Sequence, residues 1–288
     1  MKYLIMFLFT ISFAQAFTLN NNFAASFKKS KVKVSVAGDS ICAGITTASL
    51  EGLIRPSVDD FWNEVPTSRL RLKPSGFATP ILTVDINTAR LCSPTDTACI
   101  VDAAADGDAL IPPVEGILIS CNSNANNFTN NSVVAVTVPN SFSGQKIKGA
   151  VILINNNANI AGEGLRKLSE NDRIGVIAHE IGHAIGLGHA AESEAEALMY
   201  FRVVDQRSSL GQDDINGVTY LYPVKIDGCG VMDSLVASTM IVKKDDDQDD
   251  DQSGGGTPFW QMGIGFLGLM IFAEVLKFLK RSQTRPAF

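Results

Sequence analysis

The amino-acid sequence predicts an α+β domain, a twisted mixed β-sheet with helices packed on it. Three observations lead there. Runs rich in β-branched and apolar residues stand at Val32 to Val36, Leu70 to Leu72, Val133 to Val138 and Ala150 to Ile154, and read as strands. Helical spacing appears at Val58 to Val65, then at Glu170 to Leu187 and Asp213 to Leu221, so the long helices come after the strands. Hydrophobic residues make up 45% of the 288-residue chain, and Lys31 to Pro223 is the length of one ordinary domain.

The chain ends set the compartment. Lys2, an apolar run from Tyr3 to Phe13 and the small-residue site Ala14-Gln15-Ala16 form a secretory signal peptide over residues 1–16, so the mature chain is expected to begin at Phe17. Residues 17–30 form an N-terminal segment ahead of the domain. Residues 224–257 form a linker that contains KKDDDQDDDQSGGG, too polar to bury and read as a solvated spacer, with calcium as an optional second role. Phe259 to Leu276 carries only Gln261 and Glu274 as polar residues and is followed by Lys277, Lys280, Arg281 and Arg285. That pattern predicts a transmembrane helix over 258–276 with a basic cytoplasmic tail over 277–288, and an exported, membrane-anchored domain outside. The order of glycines, apolar helix and basic cluster resembles the sorting tails of some bacterial surface proteins, which implies that the tail can be processed and the domain released.

Within the domain the asparagine-rich stretches Asn122 to Asn131 and Asn155 to Asn159 read as loops, and no internal repeat is present. A formal net charge of −6 and the lack of a basic stripe exclude nucleic acid as a partner. Five cysteines, Cys42, Cys92, Cys99, Cys121 and Cys229, stand on the exported side, where disulfides are expected. Cys92 and Cys99 are close enough to close a small loop, but pairing does not follow from sequence.

The chemistry concentrates in HEIGHAIGLGH. All three histidines of the chain, His179, His183 and His189, fall in these residues around Glu180. Ser169 and Asp172 make a capping-box-like start, and Ile174, Ile177, Ile181 and Ile185 recur at helical spacing. His179 and His183 are then one turn apart on one face. Gly186 and Gly188 can take the positive φ values that end a helix and turn the chain back, which brings His189 in as a third ligand. Three imidazoles leave a fourth zinc position open for water, the arrangement of a catalytic site. Glu180, beside the first ligand, is placed to take the proton of that water and pass it to a leaving amine.

On these residues the chain resembles the metzincin metalloproteases, and most closely the matrixins. HExxHxxGxxH is complete in His179 to His189, and ALMY follows, with Met199 ten residues after His189 and matching the methionine of the Met-turn beneath the metal. Leu210 to Pro223, with Asp213 and Asp214, resembles the final helix of matrixin domains. Val58 to Val65 resembles the first helix, and Gly149 to Asn155 resembles the edge strand along which substrate lies. The resemblance implies a metzincin-like catalytic domain over 31–223 with one catalytic Zn2+ in the cleft, held by His179, His183 and His189. It implies Glu180 as catalytic residue and substrate contacts at Ala150, Ile152, Tyr200 and Phe201. It also implies that one aspartate of the 213/214 pair can receive the ammonium of the mature N-terminus. Read from the residues alone, both carboxylates bond backbone groups at the helix start, where negative charge is favoured.

The chain departs from the family in places. With no histidine left over, the usual histidine-containing second zinc site cannot form. Ala190 follows the last histidine, and Phe201 stands where some relatives place a zinc-binding tyrosine, so Tyr200 is not assigned as a ligand. Nothing matches the family's prodomain segment, and a cysteine capping the zinc is disfavoured. The expected function is a zinc endopeptidase acting on protein or peptide substrate. The alternative is a non-catalytic, zinc-containing surface binding protein.

Overall fold

In a computed structural model of the chain, the described residues are 17–20, 24–78, 83–130, 132–157, 164–202 and 207–224. The chain divides into two compact units, Met1–Ile226 and Asp227–Phe288, and all described residues belong to the first. Among them no helix is long and apolar enough to cross a membrane. The signal segment, the aspartate run, Cys229 and the apolar segment 258–276 lie outside the described residues.

Six strands form one mixed sheet: β1 (Ser26–Phe27), β2 (Lys31–Ala37), β3 (Arg71–Ala78), β4 (Gly116–Asn122), β5 (Ala135–Ser143) and β6 (Lys146–Asn155). β3, β2, β4 and β6 lie side by side in parallel, and β1 joins β6 in parallel at its first residues. β5 alone runs antiparallel, paired with β6 from Ala135↔Ile154 to Ser143↔Lys146. Four helices, α1 (Thr47–Asp59), α2 (Thr97–Asp106), α3 (Glu170–Ala184) and α4 (Gln212–Leu221), complete the α+β domain.

β4 and β6 are the buried centre, because both are nearly unbroken apolar runs, as a strand covered on both faces must be. Ile147, Ala150, Ile152 and Ile154 of β6 enter the main core with Ile177 and Ile181 of α3 and with Ile185 just beyond it, whereas Val151 and Leu153 enter a second core with Leu118 of β4 and Phe128. This corrects the expectation for Gly149 to Asn155. The stretch is an interior strand flanked by β4 and β5, and Ala150 and Ile152 are fully buried, so neither can contact substrate. The open edge on this side of the sheet belongs to β5, whose described partner is β6 alone, as β3 with its partner β2 is the edge on the other.

The first helix also differs from its expectation at Val58 to Val65. It starts eleven residues earlier, capped by Thr46, whose hydroxyl accepts from Ser49 N, and ends at Asp59, with Trp62–Glu64 as a separate 3-10 turn. Leu50, Leu53, Ile54 and Val58 bury one face, and packing there overrides the poor helix propensity of Gly52 and Pro56. β4 and α2 were not anticipated, and the N-terminal segment contributes β1 to the sheet. Two disulfides form. Cys92–Cys99 closes the short loop ahead of α2, and Cys42–Cys121 ties the chain after β2 to the end of β4 across 79 residues.

Candidate metal centre

The helix that carries the first two histidines is built as expected. Ser169 caps α3, its hydroxyl accepting from Asp172 N, and Glu170 and Asp172 supply negative charge in the first turn. Ile177, Ile181 and Ala184 bury the face opposite the cleft. α3 ends at Ala184, three residues before the anticipated Leu187, because the chain turns through Gly186 at φ +112. A Cβ on Gly186 would lie 2.3 Å from the carbonyl oxygen of Ala25, so the turn requires glycine for space as well as for φ. Gly188 has no positive φ. Its lack of a side chain instead admits Leu19, whose carbonyl oxygen would lie 2.9 Å from an added Cβ.

The N-terminal residues strap this turn. Asn20 N donates to Gly186 O at 2.9 Å, Gly188 N donates to Thr18 O at 3.0 Å, and the Thr18 hydroxyl donates to the carbonyl of His189 itself. The loop that brings the third histidine back is thus sewn to Phe17–Asn20. Sequence reading missed this strap, since nothing local in Thr18 or Asn20 announces a partner some 170 residues away.

The three imidazoles converge, their nitrogens within 4.8 Å of one another, and His183 Nε2 lies 3.2 Å from His189 Nε2. His179 Nδ1 is 2.7 Å from Leu198 O and His183 Nδ1 is 2.9 Å from Leu187 O. A carbonyl only accepts, so both Nδ1 atoms carry hydrogen and each Nε2 presents a lone pair to the centre. Burial, with the neighbouring His179 next, pulls the pKa of His183 down to about 3, and burial likewise lowers that of His189. Neutral imidazoles with lone pairs facing one another repel unless a cation lies between them. The donor set fits zinc, three nitrogens with a fourth side toward a cavity. Among the described residues no other group of His, Cys, Asp or Glu converges in this way, so calcium finds no support there.

Beneath the histidines the chain after the loop is fastened to α3. Met199 is buried, and a Cβ on Gly182 would lie 2.2 Å from its sulfur and 2.8 Å from the Trp62 ring. Gly182 therefore lets Met199 and Trp62 close on the helix between His179 and His183. The Asp214 carboxylate, at the start of α4, accepts from Leu198 N at 2.6 Å, Met199 N at 3.0 Å and Gly211 N at 2.8 Å. It thereby fixes the peptide whose carbonyl orients His179. The expectation that both aspartates bond backbone groups holds for Asp214. Asp213 differs, because its Oδ1 is buried without a hydrogen-bond partner, and burial, then Asp214 and Glu194, push its pKa up to about 6.

A cavity of about 290 Å³ opens beside the histidines, lined by His179, Glu180 and His189, by Val133 to Ala135 at the start of β5, and by Tyr200, Phe201 and Arg207. Tyr200 and Phe201 thus reach the cleft, while Ala150 and Ile152 stay in the core. Glu180 is buried, which pushes its carboxyl upward, against the opposing pull of His179 and of a hydrogen bond from Thr137. Four of the five cysteines are paired in disulfides and so are not free to cap a metal.

Residues 122–223 match the matrixin family of peptidases. This segment is matrixin-like. The match begins at the end of β4 and takes in β5, β6, the three histidines, the Met199 turn and α4, and the activity class it supports is that of a metallopeptidase. The matrixin-like segment therefore contains every histidine, Glu180 and the fastening carboxylate of Asp214, whereas β1 to β3 and α1 lie ahead of it.

Proposed function

We propose that the protein is a zinc-dependent endopeptidase that hydrolyses extracytoplasmic proteins, with His179, His183 and His189 as the metal ligands and Glu180 as general base and acid. The observation that carries the reading is the convergence of three imidazoles beside a cavity lined by His179, His189 and Glu180. When bound, zinc supplies Lewis acidity, making a water nucleophilic near neutral pH and polarising the peptide carbonyl. Glu180 takes the proton of the attacking water and returns it to the amine as the C–N bond breaks, a transfer helped by the raised affinity for a proton that burial gives it. Met199 forms the apolar floor that keeps α3 and the following loop in register.

Substrate binds extended along the open edge of β5, whose free backbone groups pair with a peptide, giving affinity with little sequence preference. Selectivity comes from the cavity wall at Tyr200 and Phe201. The two disulfides support export, because such bonds persist in oxidising compartments, and the apolar segment 258–276 is read as the anchor that leaves the domain outside the membrane. A non-catalytic zinc-containing binding protein would have no use for a buried carboxylate in the cavity that the histidines face.

The test is hydrolysis of an unfolded protein by the chain isolated from an exporting host. Cleavage that a chelator abolishes and stoichiometric zinc restores is the expected result. Stable zinc binding without any cleavage of unfolded protein would contradict it.

A further inference from the structure

We infer that Thr137, on the edge strand β5, is the positioning residue for the Glu180 carboxylate. The inference rests on the peptidase reading for its kinetic consequence, and on geometry for its substance. The Thr137 hydroxyl lies 2.6 Å from Glu180 Oε2 and 3.1 Å from the Glu180 carbonyl oxygen. A hydroxyl has one proton to give, and the shorter contact falls in the range of a charge-assisted O–H···O⁻ bond. Among the described residues Thr137 is the hydrogen-bond donor to this carboxylate, and Oε1 receives none. One oxygen is therefore tethered and the other is left to meet a reacting water in the cavity that Glu180 lines.

The tether is stiff at both ends. Thr137 is β-branched, which restricts χ1, and it sits in the paired register of β5, opposite Ile152 of the buried central strand. Glu180 stands in the middle of α3, with the buried residues Ile177, Ala178 and Ile181 fixing the helix around it. A glutamate has three side-chain torsions, and burial alone does not select the last one, which turns the carboxylate plane. The hydroxyl selects it. The same bond joins the strand proposed to receive substrate to the helix that carries the proton acceptor, so the base and the substrate edge keep one relative position.

Thr137→Val keeps shape and volume and removes the donor, whereas Thr137→Ser keeps the donor. Full-length wild type and both variants are loaded with zinc and compared by kcat and KM on one unfolded-protein substrate, by zinc content, by thermal midpoint, and by crystal structures. The valine variant is expected to lose roughly thirtyfold in kcat, a part of the ~10²–10⁴ that a positioned base supplies, with KM, zinc content and thermal midpoint nearly unchanged. Its structure is expected to show the Glu180 carboxylate turned away from the position seen in wild type. Serine restores both. If the Glu180 carboxylate stays in place in the valine variant, or kcat stays within about twofold of a wild type that cleaves, the inference is overturned. If no form cleaves but the carboxylate turns in the valine variant alone, the positioning stands and the peptidase reading falls.

Discussion

The three histidines are held by two different kinds of support, and the contrast shows where the centre is strong. His179 and His183 ride on α3, backed by the main core and underpinned by Met199, Trp62 and the Asp214 carboxylate. His189 stands on an exposed loop kept in place by a glycine turn and by backbone bonds to Thr18 and Asn20. A change on the helix side reaches the core and the fold together. A change on the loop side is expected to leave the fold intact and to loosen one histidine.

Asp214→Ala is the most damaging break on the helix side. It strands three backbone donors, two buried in the Met199 turn and one at the start of α4, each costing ~1–3 kcal/mol, so a loss of about 4 kcal/mol is expected in chemical denaturation, with zinc affinity falling alongside. Gly182→Val comes next. Its branched side chain meets the Met199 sulfur and the Trp62 ring, and about 3 kcal/mol of overpacking is expected, read as a lowered denaturation midpoint. On the loop side, Thr18→Val removes the hydroxyl that donates to His189 O while the two backbone bonds of the strap remain. Zinc affinity measured by competition with a chelator is expected to drop about tenfold, the low end for partners beyond the ligands, with the denaturation midpoint of the apo form nearly unchanged. A large loss of apo stability in Thr18→Val would erase the distinction between the two sides.

The smallest effect lies at Asp213. Its folded pKa of about 6 is above the ordinary carboxylate value of 3.8, so the native state holds more protons than the unfolded state between those values. Stability from this group therefore falls as pH rises through that window, and the full penalty of ionisation is present above it. Asp213→Asn is expected to raise the thermal midpoint at pH 7.5 by roughly 2–4 °C, and the gain should vanish near pH 4. A loss at pH 7.5 would instead mean that a cation, such as the ammonium of a mature Phe17, pairs with this carboxylate.

Much of the centre was legible in the sequence because its spacing is covalent. His179, His183 and Glu180 follow from helical periodicity, and His189 from the glycine turn. Met199 came from resemblance to the matrixins, whereas the backbone bonds of Asp214 followed from its place at a helix start, though not which turn it would hold. What was not legible is tertiary. The contact of Thr137 with Glu180 depends on where β5 docks against α3, and the strap from Thr18 to His189 joins the two ends of the domain. The mistaken edge strand had a readable signal. GILISCN and GAVILIN are both continuous apolar runs, the mark of strands covered on both faces, while AVTVPNSFS mixes polar residues with a proline, which an edge strand tolerates and an interior one does not. The register of β5 indeed slips beside Pro139. The first helix was misplaced because Gly52 and Pro56 mask a well-spaced apolar face, and the pairing of Cys42 with Cys121 across 79 residues depends on the sheet order.

The most direct test of the account removes the carboxylate and keeps the metal. Wild type and Glu180→Ala, isolated side by side, are assayed for zinc by elemental analysis and for cleavage of an unfolded protein. The account predicts about one zinc in each, in keeping with a three-histidine site, and at least a ~10²-fold lower kcat in the variant. Equal cleavage by both forms, or no cleavage by a zinc-loaded wild type, would contradict it.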